Sequence, residues 1–239
     1  MTRLAVLSSL ALIVGPVAGD APKSKSAREA LKPFNLLVGS WKGTGTPEGS
    51  TDDRQKGHWT ETVTWEWQFK GDDAWLTVKF DKGKYFASGV LRYVPARDGF
   101  ELTLTTVGKE KLTYAGELKG KQLALERPLP EGKTVERLTV NLLHDNRITY
   151  RLETRPASGT ALTKKYLVGL TKEGESFADV GRSERECIVS GGQGTIAVSY
   201  EGKTYYVCCT GCRDEFRADP AKYVREWEAK RKKLNNSKN

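Results

Sequence analysis

Histidine is nearly absent from this chain, two residues in 239, and methionine occurs once. A haem pocket or a histidine-rich metal centre therefore has little to draw on. His58 stands where an alternating segment starts and His144 in a turn signal beside Asp145, and exposure or a hydrogen bond accounts for each. The formal net charge of +9 is spread along the sequence rather than gathered in one block. Phosphate binding calls for a clustered basic face, so no nucleic-acid partner is expected. The terminal run Lys230-Arg-Lys-Lys233 reads as a solvated helix end. Long apolar runs are also missing after the first residues, and no later segment approaches the roughly 20 residues that cross a bilayer. No paired carboxylates and no Ser/His/Asp set stand out, so no catalytic residue is assigned and the chain is expected not to be an enzyme.

What is present begins with a processing signal. Met1 to Gly19 puts one basic residue ahead of a short apolar run that ends in small residues, with Val17 and Gly19 suited to cleavage by a signal peptidase. Residues 1–19 are read as a signal peptide, and the mature protein as exported, periplasmic or secreted, without a transmembrane segment. Export matters for the cysteines, because oxidising compartments favour disulfides.

From about residue 30 to 172 the dominant pattern is period two. In Thr62–Phe69, Val63, Trp65, Trp67 and Phe69 point one way while Thr64, Glu66 and Gln68 point the other. The same alternation recurs at Leu76, Val78 and Phe80, at Leu138, Val140 and Leu142, and at Ile148, Tyr150 and Leu152, with turn signals between the runs. About ten consecutive strands with no intervening helices predict a mainly β chain closed as an antiparallel up-and-down barrel, with a sandwich as the alternative. Trp41, Trp65, Trp67 and Trp75 read as core and barrel-floor packing. A barrel of this size either holds a small apolar ligand or is filled by its own side chains.

The Gly39-Ser40-Trp41 element on the first strand, followed by these strands, resembles the lipocalin-like or calycin barrels, including the nitrobindin-like group. In the haem-binding members of that set a histidine from a late strand ligates iron, whereas the matching strand here, Ala161 to Leu170, carries none.

Residues 173–186 are polar and glycine-containing and read as a linker. Residues 187–239 form a small module holding all four cysteines. Thr195–Tyr200 and Thr204–Val207 flank Glu201-Gly202-Lys203, a hairpin signal. Thr210 is placed to cap a short helix through Phe216, and Asp219-Pro220 to start a second one with Tyr223, Val224 and Trp227 on one stripe. So small a module with few apolar side chains needs a staple of metal or disulfide.

The cysteines run Cys187, twenty residues, Cys208, three residues, Cys212, with Cys209 as an extra thiol. Cys212 falls in the first turn of a helix, where the dipole favours the thiolate that binds metal. If the strand continues through them, Cys208 and Cys209 point to opposite sides and do not share one ion without a local break. Three thiolates suit Zn(II) or Cu(I). The candidate ligands are Cys187, Cys208 and Cys212, with Cys209 as a further candidate. A disulfide among the same cysteines stays open, as does thiol redox chemistry at Cys209-Thr-Gly-Cys212, although no βαβ pattern surrounds it.

Cys187, the run from Tyr200 to Cys208, Cys212, Phe216 and Asp219-Pro-Ala-Lys-Tyr223 together resemble the TRASH/YHS-type metal-binding modules over about residues 185–225. The resemblance implies a soft metal ion as the partner, in sensing, trafficking or resistance, held by Cys187, Cys208 and Cys212. Many members have a proline after the first cysteine and some a second cysteine where Ser190 stands, which leaves the fourth ligand open. The expected function is that of an exported metal-binding protein with the barrel as scaffold or ligand-binding domain. The alternative is a hydrophobic-ligand carrier barrel with a disulfide-stapled C-terminal module.

Overall fold

A computed structural model describes residues 25–144, 146–174 and 185–236. The expected signal peptide, and residues 175–184 of the expected linker, lie outside the described residues.

Ten strands follow one another with each pairing to the next: β1 (Gly39–Pro47), β2 (Trp59–Lys70), β3 (Asp73–Asp81), β4 (Phe86–Val94), β5 (Gly99–Thr106), β6 (Lys111–Lys119), β7 (Gln122–Pro128), β8 (Thr134–His144), β9 (Arg147–Pro156) and β10 (Thr163–Lys172). β1 also pairs with β10, from Trp41 opposite Lys172 to Pro47 opposite Tyr166, and this antiparallel pairing closes the barrel. Closure leaves no sheet edge exposed. The order is the up-and-down meander of a lipocalin-like barrel.

Alternation decides what faces inward. Val63, Trp65 and Trp67 of β2 are buried, as are Ala74, Leu76 and Val78 of β3. Trp75 is the exception to the expected tryptophan core. Its register places it between Ala74 and Leu76 on the outer face, half-buried, with the Arg92 guanidinium 4.3 Å above its ring. A second departure lies between β1 and β2, where an all-polar helix, α2 (Thr51–Gly57), replaces a plain turn. Ser50 and Asp53 cap its start reciprocally. His58 follows it, exposed, its Nδ1 within 2.6 Å of the Gln55 carbonyl.

One end of the barrel is plugged by the segment before β1. Helix α1 (Ala27–Leu31), capped by the Ser26 side chain, runs into a 3-10 turn over Lys32–Leu37. Leu31, Phe34 and Leu37 are fully buried, and Phe34 meets Phe100 edge-on at 4.9 Å. Trp41 Nε1 donates to the Leu37 carbonyl, which ties the plug to β1.

Inside, apolar side chains including Trp65, Leu102, Val140 and Leu170 fill the lumen, leaving a cavity of about 20 Å³. That is room for a water or two at most, and the walls are apolar. Toward the opposite end the interior turns polar. Glu61, 5% exposed, accepts from Trp59 Nε1 and from the Tyr150 hydroxyl. Glu136 accepts from Arg127 and from the Tyr114 hydroxyl.

After residue 184 comes the small module. Strands β11 (Ile196–Tyr200) and β12 (Lys203–Val207) form a hairpin whose turn residues, Glu201 and Gly202, both have positive φ, the geometry that matches strand twist. Helix α3 (Thr210–Ala218) and helix α4 (Pro220–Asn236) follow. Asp219 Oδ1 accepts from the Lys222 amide and so caps α4. Tyr205 packs against both Phe216 and Trp227. Arg28 of α1 reaches Glu226 and lies over the Tyr223 ring, holding α4 beside the barrel plug.

Candidate metal centre

Two loops bring the thiols together. The first is a tight turn from Cys187 to Gly192, in which the Cys187 amide donates to the Gly192 carbonyl and Gly191 adopts a positive φ of 78°. Ile188 hydrogen-bonds to Tyr206, which lays this turn beside β12. The second loop is the exit from β12. The strand ends at Val207, Cys208 sits in a bend, and Cys209 is the extended residue that precedes α3. This early end of the strand corrects the expectation that Cys208 and Cys209 diverge: their sulfurs are 3.9 Å apart.

The sulfurs of Cys187, Cys208 and Cys212 all lie within 4.8 Å of one another. Two sulfurs bound to one ion at about 2.3 Å each are at most about 4.6 Å apart. The trio is therefore within a few tenths of an ångström of what a single ion requires, and Cys208 and Cys212, at 3.5 Å, already meet it. Cys209 lies outside that mutual group while touching Cys208. All four thiols are free of disulfides. Cys187, Cys209 and Cys212 are buried, and Cys208 is half-exposed. The three sequence-predicted ligands are thus brought together, and the residue with the open role is their neighbour.

The polar surroundings favour thiolate at two positions. Hydrogen bonds from the Cys208 and Cys212 thiols, helped by Ser190, hold Cys187 far below the usual thiol range against its burial. Cys209 is likewise pulled down, by Cys208 and Cys212 first and then by the backbone amides of Cys212 and Trp67. Cys208 is raised, chiefly by its hydrogen bonds to Cys187 and Cys209, and Cys212 by burial. Thiol donors thus favour the thiolate form at Cys187 and Cys209.

Ser190 completes the inner layer. It is fully buried, its amide approaches Cys187 Sγ at 3.4 Å, and its hydroxyl lies 3.4 Å from Cys208 Sγ. An oxygen thus stands where a fourth thiol would make a four-sulfur set.

Sequence reasoning missed the part played by the barrel. Thr210 Oγ1 donates to Glu66 at 2.7 Å, and α3 packs on β2. Asn35, in the plug, accepts from Trp67 Nε1 at 2.9 Å and donates to the Ser190 carbonyl at 3.0 Å. The glycine of Cys-Thr-Gly-Cys was the one available hint of a close approach.

Residues 194–227 match the family model of the YHS domain, a segment that includes Cys208, Cys209 and Cys212 and begins seven residues after Cys187. No curated protein matches the chain. Among solved structures, the S-type phycobiliprotein lyase of Guillardia theta is similar over 60% of this chain and 92% of its own, at 12% identity and a TM-score of 0.33. The chain is therefore a closed ten-stranded barrel of lipocalin-like order followed by a segment that matches the YHS domain, with Cys187, Cys208 and Cys212 placed to bind a metal.

Proposed function

We propose that this is an exported metal-binding protein that takes up Zn(II) or Cu(I) at Cys187, Cys208 and Cys212 and serves metal sensing, trafficking or resistance rather than catalysis. The convergence of three sulfurs, from the Cys187 turn, the exit of β12 and the first turn of α3, within 4.8 Å carries this reading. The donor set is all sulfur, which suits soft or borderline ions. With three protein thiolates and the Ser190 hydroxyl beside them, the site keeps one position from which an ion can be exchanged. The match to the YHS domain supports metal as the partner, and the apolar run at residues 1–19 supports export. The barrel, its lumen nearly filled, serves as scaffold.

The test is metal content and thiol count on one sample of protein purified under reducing conditions, with Cys208→Ser beside it. One tightly held zinc or copper ion per chain is expected, lost in the variant. Absence of bound metal, together with two disulfides in protein recovered from the oxidising compartment, would instead favour a stapled module on a carrier barrel.

A further inference from the structure

One barrel residue is linked to both ligand segments, to the first through Asn35 and to the second directly. Trp67, fully buried on β2, donates from Nε1 to Asn35, Asn35 donates to the Ser190 carbonyl, and the Ser190 amide approaches Cys187 Sγ. Two hydrogen bonds, relayed by Asn35, thus connect the indole to the first ligand loop. The backbone of Trp67 meets the second loop. Its carbonyl oxygen lies against Gly211, where a Cβ would sit 1.7 Å away. Thr210, the preceding residue, holds Glu66. Thr210 and Gly211, between the ligands Cys208 and Cys212, are therefore held on Glu66 and Trp67.

We propose that Trp67 and Asn35 are positioning residues of the metal centre, so that the barrel sets the spacing of the two ligand loops and metal occupancy is coupled to barrel stability. The inference rests on the reading of the thiol cluster as a metal site. Groups that orient ligands from behind have a measurable weight: their loss commonly costs about 10–100-fold in metal affinity. Coupling is reciprocal, so an ion that gains affinity from the barrel must also stabilise it.

Two variants test this, each in the full mature chain. Asn35→Ala removes both the bond to Trp67 and the bond to the Ser190 carbonyl. Trp67→Phe keeps an aromatic ring and the backbone contacts while removing the indole donor together with part of the buried ring volume. Competition titrations with zinc(II) and copper(I) are expected to show one ion per chain in both, bound about tenfold or more weakly for Asn35→Ala. The cobalt(II)–thiolate charge-transfer band should shift, and the metal-induced rise in the barrel's unfolding temperature should shrink. A change that merely loosens packing would lower the temperature without metal and leave band and affinity alone. Wild-type affinity and an unshifted band in both variants overturn the inference while leaving the metal reading intact. A wild-type chain that takes up no ion overturns both.

Discussion

The α-carbon of Gly211 packs so closely on the Trp67 carbonyl oxygen that an added Cβ would lie 1.7 Å from it. Helix propensity alone predicts a gain of about 1 kcal/mol when a helical glycine becomes alanine. Here the neighbour is backbone rather than a flexible side chain, so overpacking outweighs propensity and Gly211→Ala is expected to destabilise by about 1–3 kcal/mol. Gly169→Ala is the control: nothing lies within 4 Å of its Cβ position, and its effect is expected to stay within about 0.5 kcal/mol. Urea unfolding followed by circular dichroism distinguishes the two, and a midpoint for Gly211→Ala at or above wild type would contradict the close approach.

The thiol cluster sets the pH dependence of metal uptake. Cys208 and Cys212 have raised pKa values, through hydrogen bonds to Cys187 and through burial respectively, so both are protonated at neutral pH. Cys187 and Cys209 are depressed and already charged. A metal that binds Cys208 and Cys212 must displace their protons, and its affinity therefore climbs as pH rises. About two protons should be released per ion in weakly buffered solution near pH 7. Proton release that is absent, or affinity that is flat between pH 6 and about 8, would show that these thiols are not the ligands.

At the polar end of the barrel, Tyr150→Phe removes one of the two donors to the buried Glu61 carboxylate, leaving Trp59. A hydrogen bond to a charged group is worth about 1.5–3 kcal/mol, and the orphaned carboxylate oxygen has little access to water. Chemical denaturation is expected to show a lower midpoint with an unchanged m-value. A loss below about 0.5 kcal/mol would mean that solvent replaces the phenol.

The barrel was legible because strand alternation is a local signal. Val63, Trp65 and Trp67 declare their face within five residues, and repeating that pattern ten times leaves closure as the way to remove edges. Trp75 was misplaced when residue type was allowed to outweigh register: Leu76 and Val78 already put it on the outer face. Helix α2 has no apolar stripe to announce it, and only the Ser50–Asp53 spacing signalled its start. At Cys209 the error came from carrying strand alternation two residues past Val207, into a bend. Spacing singled out Cys187, Cys208 and Cys212 as candidate ligands because it is read along the chain, and their sulfurs do converge. Asn35 and Trp67 could not be found that way: Asn35 is 155 residues from Ser190 and carries no mark of the contact.

The four cysteines separate by position, and serine substitutions should reproduce the separation. Cys187, Cys208 and Cys212 share one mutual distance limit of 4.8 Å, whereas Cys209 contacts Cys208 at 3.9 Å and faces the Trp67 amide. Cys187→Ser, Cys208→Ser and Cys212→Ser are each expected to abolish tight metal binding, because removing one of three thiolates leaves a two-sulfur set. Cys209→Ser should keep one ion per chain, with affinity reduced only as far as the loop's anchorage on the barrel is weakened, by about tenfold. Stoichiometry by elemental analysis after dialysis, read beside a competition titration, gives both quantities. Loss of the ion in Cys209→Ser with retention in Cys187→Ser would move the site to Cys208, Cys209 and Cys212 and remove the first loop from it.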